Sequence, residues 1–364
     1  MQSTRGQIGH WVMLHVAWCF FVACGPTPDD GPKKAPQVGG SAGPSATLHY
    51  FTWSDYVDEQ LIEAFERKAG VKIVVDTFGS NEELLAKLQS GASGYDLAVP
   101  SDFMVSIMIK QGLLAELDLA KIPNSKLVLD WLQKLPFDPE SRYSIPYLWG
   151  TVGIGYNSEV IASPPDSWTV LWDPRYKGKI SMLNDQREVF GAALRSMGHS
   201  INAKDPRVIG EAKAKLVAQK PLVKTYSSET YHQLLAFGDV VLAQGWGGAV
   251  ARAMAERPSI QYVIPKEGGT VWADCLVVLR TSRHRDLAMQ FINYLLDSEV
   301  AARTTDRLLF ASSNRESKDL VQSTIRENPA VYPPGAALDR LEWMADVGEA
   351  IRLYDRAWTE LKLE

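Results

Sequence analysis

The sequence predicts an α/β fold of two lobes with a ligand cleft between them, on three observations. From Thr47 onward, short apolar runs alternate with amphipathic segments in βαβαβα order; the pattern restarts after Tyr147-Leu148-Trp149; and the stretch 47–364 is long enough for two lobes. That order implies a mainly parallel sheet with helices on both faces. In open sheets of this kind a ligand sits beyond the carboxyl ends of strands, where several loops converge.

The elements follow in order. Residues 48–51 form a first strand, and 59–69 a helix with Leu61, Ile62 and Phe65 on one face and Gly70 as its stop. A second strand covers 71–75, and a helix covers 81–90 with Asn81 as its cap. A third strand at 95–99 leads into a helix through Met108 and Ile109. After the restart, strands are expected at 152–156, 179–183, 222–224, 240–243 and 261–264, with helices at 189–197, 207–217 and 249–256. A long apolar strand at 271–279 and an amphipathic helix at 286–296 follow. Trp168 and Trp172, at helical spacing, are expected in the core. No solenoid-type repeat is present.

The amino-terminal end has a different character. Arg5 is the only formal charge before Cys24, and 11–23 is nearly continuous apolar sequence interrupted by His15. A membrane-spanning helix needs about 20 apolar residues, so this shorter run suits a signal-peptide core. It ends Phe21-Val22-Ala23-Cys24-Gly25, which resembles a bacterial lipoprotein cleavage box with Cys24 as the lipidated residue; Phe21 stands where Leu is more usual. Residues 25–46 are rich in Pro, Gly, Ser and Ala, the composition of a flexible tether. The expected divisions are therefore a leader at 1–24, a tether at 25–46, one lobe from 47–149 with 275–318, and a second from 150–274 with 319–364.

Composition narrows the function. With 38 Lys and Arg against 43 Asp and Glu, the chain is mildly acidic, which argues against nucleic acid and suits a cationic ligand. Cys19 and Cys24 lie in the leader, leaving Cys275 alone in the folded part, so no internal disulfide forms there. There is no phosphate loop, nucleophile elbow, HExxH or paired CxxC, and the six histidines lack metal-ligand spacing. No metal or cofactor is expected, and no catalytic residue.

What stands at the strand ends is a set of aromatic and acidic residues. Trp53-Ser54-Asp55-Tyr56 follows the first strand and Ser101-Asp102-Phe103 the third. Asp185 and Glu188 follow the strand ending at 183, and Trp246 the strand ending at 243. Trp272 and Asp274, two residues apart on one strand, share a face. Such a set fits an organic polycation: carboxylates offset the desolvation of each ammonium, and aromatic walls cover the methylenes and attract the charge by about 0.5–2 kcal/mol each. Each residue also has an ordinary structural reading. Asp185 and Glu188 suit a helix start, and Asp55 could cap the helix that follows.

Over 47–364 the sequence resembles the spermidine/putrescine-binding proteins of bacterial polyamine ABC transporters. The resemblance is carried by FTWSDYV at 51–57, YDLAVPSDFMV at 95–105, NDQREVFGAALRSMG at 184–198, PKEGGTVWADCLVV at 265–278 and EWMADVGEAIRLYDRAWTELK at 342–362. It implies the two-lobed periplasmic-binding-protein (type II) fold, a polyamine in the cleft, and lobe closure that presents the loaded protein to a permease. Carried over by position, it makes Trp53 and Tyr56 walls, Ser54 a polar neighbour, and Ser101 and Phe103 the lining of the first lobe. Asp185 and Glu188 would hold a terminal ammonium, Trp246 and Trp272 would stack on the chain, and Asp274 would pair with a second nitrogen. Phe310 and Phe103 stand where the family commonly has Tyr, and Met344 where the spermidine type has Gln. Gly247-Gly248 follows Trp246 where the putrescine type has an acidic residue. With the leader and Cys24, the resemblance implies a lipid-anchored monomer of the cell envelope that captures a polyamine, spermidine over putrescine, for uptake. Two alternatives stay open: a polyamine-sensing lipoprotein, and a hydrolase using Asp185 and Glu188 as an acid/base pair.

Overall fold

The computed structural model describes residues 46–91 and 94–364, so the expected leader and Cys24 lie outside the described residues, as does the tether up to Ser45. Thr47–Trp53 (β1) is the first strand, followed by Glu59–Ala69 (α1), Lys72–Phe78 (β2), Asn81–Gln89 (α2), Leu97–Ala98 (β3) and Asp102–Lys110 (α3). The cap of α1 is Asp58: its carboxylate accepts the N–H groups of Gln60 and Leu61. Gly70 ends α1 at φ 67°, a left-handed conformation that glycine adopts freely. Ser80 caps α2, and Asn81, expected as the cap, is its first residue.

The restart expected after Trp149 is absent: Ser144–Asn157 (β4) is one uninterrupted strand of 14 residues, every one of them buried. Then come Ile180–Met182 (β5), Gln186–Ser196 (α4), Pro206–Gln219 (α5), Val223–Tyr226 (β6), Tyr231–Phe237 (α6), Leu242–Trp246 (β7), Gly247–Glu256 (α7), Ile260–Val263 (β8) and Thr270–Val278 (β9). Arg285–Leu295 (α8), Ser298–Leu308 (α9), Ala311–Ser312 (β10), the short Ser323–Arg326 (α10) and Gly335–Leu338 (α11), Glu342–Trp343 (β11) and Ile351–Leu363 (α12) complete the chain. Trp168 is fully buried and Trp172 half-buried, on a 3-10 turn that packs into the core.

The sheet runs β2-β1-β3-β9-β4-β7-β5-β6. It is parallel at both ends, where β1 pairs β2 and β3, and β5 pairs β6 and β7. It is antiparallel in the middle, where β9 pairs β3 and β4, and β4 pairs β7 and β8. The sheet is therefore mixed where the element order alone implied mainly parallel pairing. The chain crosses between the two parallel halves along β4 and returns along β9, and neighbouring strands that run in opposite directions pair antiparallel. α12 returns to pack on α4 and α5. Among the described residues no helix is long and apolar enough to cross a membrane, and Cys275 is a buried free thiol.

Candidate ligand site

β9 forms the floor of the site. Its alternate residues Thr270, Trp272 and Asp274 share one face, and all three are buried. Asp274 is held from two directions. Tyr56 Oη, just beyond β1, donates to Oδ2 at 2.5 Å, and Ser101 Oγ donates to Oδ1 at 2.6 Å. Ser101 also meets Asp274 in an antiparallel bridge. Although Ser101 precedes α3, its hydroxyl does not cap the helix; Asn81 holds it instead, donating from Nδ2 to Ser101 Oγ and accepting from Ser101 N, both at 3.0 Å. Asn81 was missed as a positioning residue because its place at a helix start suggested a cap.

The aromatic walls rise from this floor. The Phe310 ring sits 5.6 Å from those of both Tyr56 and Trp272. Trp272 lies opposite Gly150 on β4, and a Cβ at Gly150 would come within 2.6 Å of Trp272 Cζ2. Only a glycine lets the indole lie across β4. On the other edge of β4, Trp246 lies opposite Val152, and its backbone N and O are both hydrogen-bonded to Tyr231 Oη. Gly247 and Gly248 have a packing cause: side chains there would run into the Ala330 carbonyl and the Phe310 ring.

The second acidic group rides on α4. Asp185 caps the helix by accepting from Glu188 N at 3.0 Å, so the helix-start reading of this pair holds for Asp185. Glu188 is buried; its Oε2 accepts from Thr270 Oγ1 at 2.8 Å, which places it over the same face of β9 as Trp272 and Asp274. Thr270 and Asp274 are four positions apart, about 13 Å along a strand. Burial, then the Asp185 charge, raise the Glu188 carboxyl to about 8. Burial raises Asp274 to about 6 against the lowering effect of its two hydrogen bonds. Both carboxylates would gain from a cation.

The remaining expected residues are less closely joined. Met344 is buried directly after β11, which pairs parallel with β9 at Thr270 and Val271. Its neighbours are clamped: Asn202 Nδ2 donates to Trp343 O at 2.9 Å, and Arg187 Nη1 donates to Ala345 O at 3.2 Å. Trp53 is half-buried, with its indole N–H on Val99 O at 2.9 Å and its ring on Phe78. Ser54 is exposed, and Phe103 packs on the apolar cluster around Phe51 and Met104. Arg187, between the two acids of α4, is buried over the Tyr354 ring and was missed. Among the described residues, no group of three or more His, Cys, Asp or Glu side chains is arranged to hold a metal ion.

A two-lobed α/β scaffold with an acidic, aromatic-lined site at its crossing strands defines a solute-binding protein, and residues 60–333 match the family model described as bacterial extracellular solute-binding protein. The chain belongs to that family, within its spermidine/putrescine-binding group. It is 36% identical over 338 residues to spermidine/putrescine-binding periplasmic protein 1 of Haemophilus influenzae, covering 92% of this chain and 94% of that one. It is 34% identical over 353 residues to the putrescine-binding periplasmic protein PotF of Escherichia coli, covering 91% and 95%. The solved TpPotD lipoprotein of Treponema pallidum superposes with a TM-score of 0.80 at 32% identity, covering 87% of this chain and all of that one.

Proposed function

We propose that this protein captures a polyamine, spermidine in preference to putrescine, between its two lobes and delivers it to the permease of an ABC transporter. The observation that carries the reading is the arrangement on one face of β9: Asp274, braced by Tyr56 and Ser101, and Glu188, held by Thr270, lie at two ends of a strip walled by Trp272 and Phe310. Two buried carboxylates separated by aromatic surface match ammonium groups separated by methylenes. Nothing in this chemistry makes or breaks a bond in the ligand.

In this reading the lobes are 47–149 with 275–318 and 150–274 with 319–364, and the hinge lies on β4 and β9. Trp53, Ser54, Phe103, Trp246 and Met344 complete the lining, and Asp185 supports Glu188. Cys24 carries a lipid that holds a monomer at the cell envelope.

Calorimetric titration of the purified protein with putrescine, cadaverine, spermidine and spermine tests the capture, with micromolar binding corresponding to about −8 kcal/mol. Absence of heat at millimolar ligand, with the protein folded, refutes it. Mass spectrometry of the mature amino terminus tests the lipid on Cys24.

A further inference from the structure

Phe310 reaches the site from an unusual stretch of backbone. It follows Leu309, which closes α9 at φ 60°, a left-handed conformation that a residue with a Cβ adopts only at some cost. One residue later the ring lies 5.6 Å from those of both Tyr56 and Trp272. A turn of this kind keeps its shape only where its surroundings determine it.

Those surroundings come from α7. Its residues Gly248 and Arg252 are four apart and so share a face of the helix. A Cβ at Gly248 would stand 2.5 Å from Phe310 Cε1 and from Leu309 O, so the turn rests directly on the helix there. Arg252 Nη2 donates to Leu308 O at 3.3 Å, which satisfies one of the carbonyls that the end of α9 leaves open. Its positive charge also complements the negative end of the α9 dipole. The guanidinium carbon lies over the Phe310 ring, 5.6 Å from the centroid. In the two-lobe reading, Phe310 stands on the first lobe and Arg252 on the second, so this contact crosses between them.

Resting on the polyamine reading of this site, we infer that Arg252 is a positioning residue for ligand binding: by holding the Leu308 carbonyl and covering the ring, it fixes Phe310 as a wall beside Tyr56 and Trp272. Its own charge offers an ammonium no partner, so it acts through the ring.

The test is a double-mutant cycle. Spermidine and putrescine affinities are measured for wild type, Arg252→Met, Phe310→Ala and the pair, with thermal melts to confirm folding. Arg252→Met should weaken binding about fivefold when Phe310 is present, and by less than about twofold when Phe310 is already Ala. Equal losses in both backgrounds, no loss, or tighter binding through removal of the charge overturns the inference. Phe310→Leu replaces Phe310→Ala, and Arg252→Lys replaces Arg252→Met, wherever the first variant does not fold. Failure of both variants at either position to fold makes that residue structural and overturns the inference. Wild type that binds neither ligand refutes the polyamine reading, and this role with it. Wild type that binds, with additive losses in the cycle, overturns only the role of Arg252.

Discussion

Tyr56 and Asp274, 218 residues apart in the chain, meet in a buried hydrogen bond of 2.5 Å. The bond ties the end of β1 to the middle of β9, so the carboxylate is oriented before any ligand arrives. Preorganisation of this kind reduces what a ligand must spend on ordering its site.

Tyr56→Phe removes one of the two hydrogen bonds that hold the Asp274 carboxyl down against burial. Its pKa is expected to rise above about 6, and polyamine affinity at neutral pH to fall about tenfold, the worth of a hydrogen bond to a charged group. The pH below which binding fades should move upward. Titrations at several pH values between 6 and 8 check both effects, and an unchanged profile counts against the role given to Tyr56.

Glu188 makes stability depend on pH in the opposite sense to a salt-bridged acid. Its carboxyl stands at about 8 in the folded protein against an ordinary 4.5, so the folded state holds a proton that the unfolded chain has released. The stabilising contribution is full below about 4.5 and is lost as pH rises through about 8. Glu188→Gln, without ligand, should therefore melt above wild type at pH 8 to 9, with the gain shrinking towards pH 5. It should also bind polyamine more weakly. Scanning calorimetry across that range checks the sign.

Gly150→Ala places a methyl group 2.6 Å from Trp272 Cζ2, in a strand that cannot move aside. Overpacking of about 1–3 kcal/mol should lower the melting temperature, and the displaced indole should weaken binding. Indole fluorescence on titration separates the two effects. Normal melting with normal affinity would show that the ring has another place to go.

Met344→Gln introduces the polar residue of the spermidine type at a position whose neighbours Asn202 and Arg187 already clamp. Spermidine affinity should increase by up to about tenfold, while the ligand-free protein loses about 1–3 kcal/mol by burying an unsatisfied amide. Competition titration and thermal melts measure the two sides of that exchange.

The elements legible in the sequence were those with local signals. α1 announced itself through Leu61 and Phe65 with Gly70 as its stop, and its bounds agree with the expectation. α6, α9 and α12 were not picked out, because Tyr231, the small residues of α9 and Tyr354 are buried by partners distant in sequence. β4 was divided because Pro146 and the Gly150, Gly153 and Gly155 series interrupt its pattern. The structure shows Pro146 next to a register shift, and the glycines beneath Trp272, Tyr262 and Leu235. At the site, Trp272 and Asp274 were visible as strand neighbours, and Asp185 and Glu188 as a pair. The braces Asn81, Thr270 and Tyr231 were not, since nothing local tells a tertiary hydrogen bond from a helix cap or a core ring.

The strand order β2-β1-β3-β9-β4 bears on when the protein can fold as well as on how it binds. A chain delivered amino-terminus first has β1 to β4 in hand early, yet β3 reaches β4 only through β9, which is complete at Val278. Until then nothing joins β3 to β4, and Tyr56 and Ser101 have no Asp274 to hold. The two halves of the nascent chain should therefore stay unjoined until β9 is available, and a chain not yet locked into one sheet is easier to pass through a membrane. Chains truncated before Thr270 should accordingly stay open to protease throughout, while full-length chains acquire resistance in a single late step.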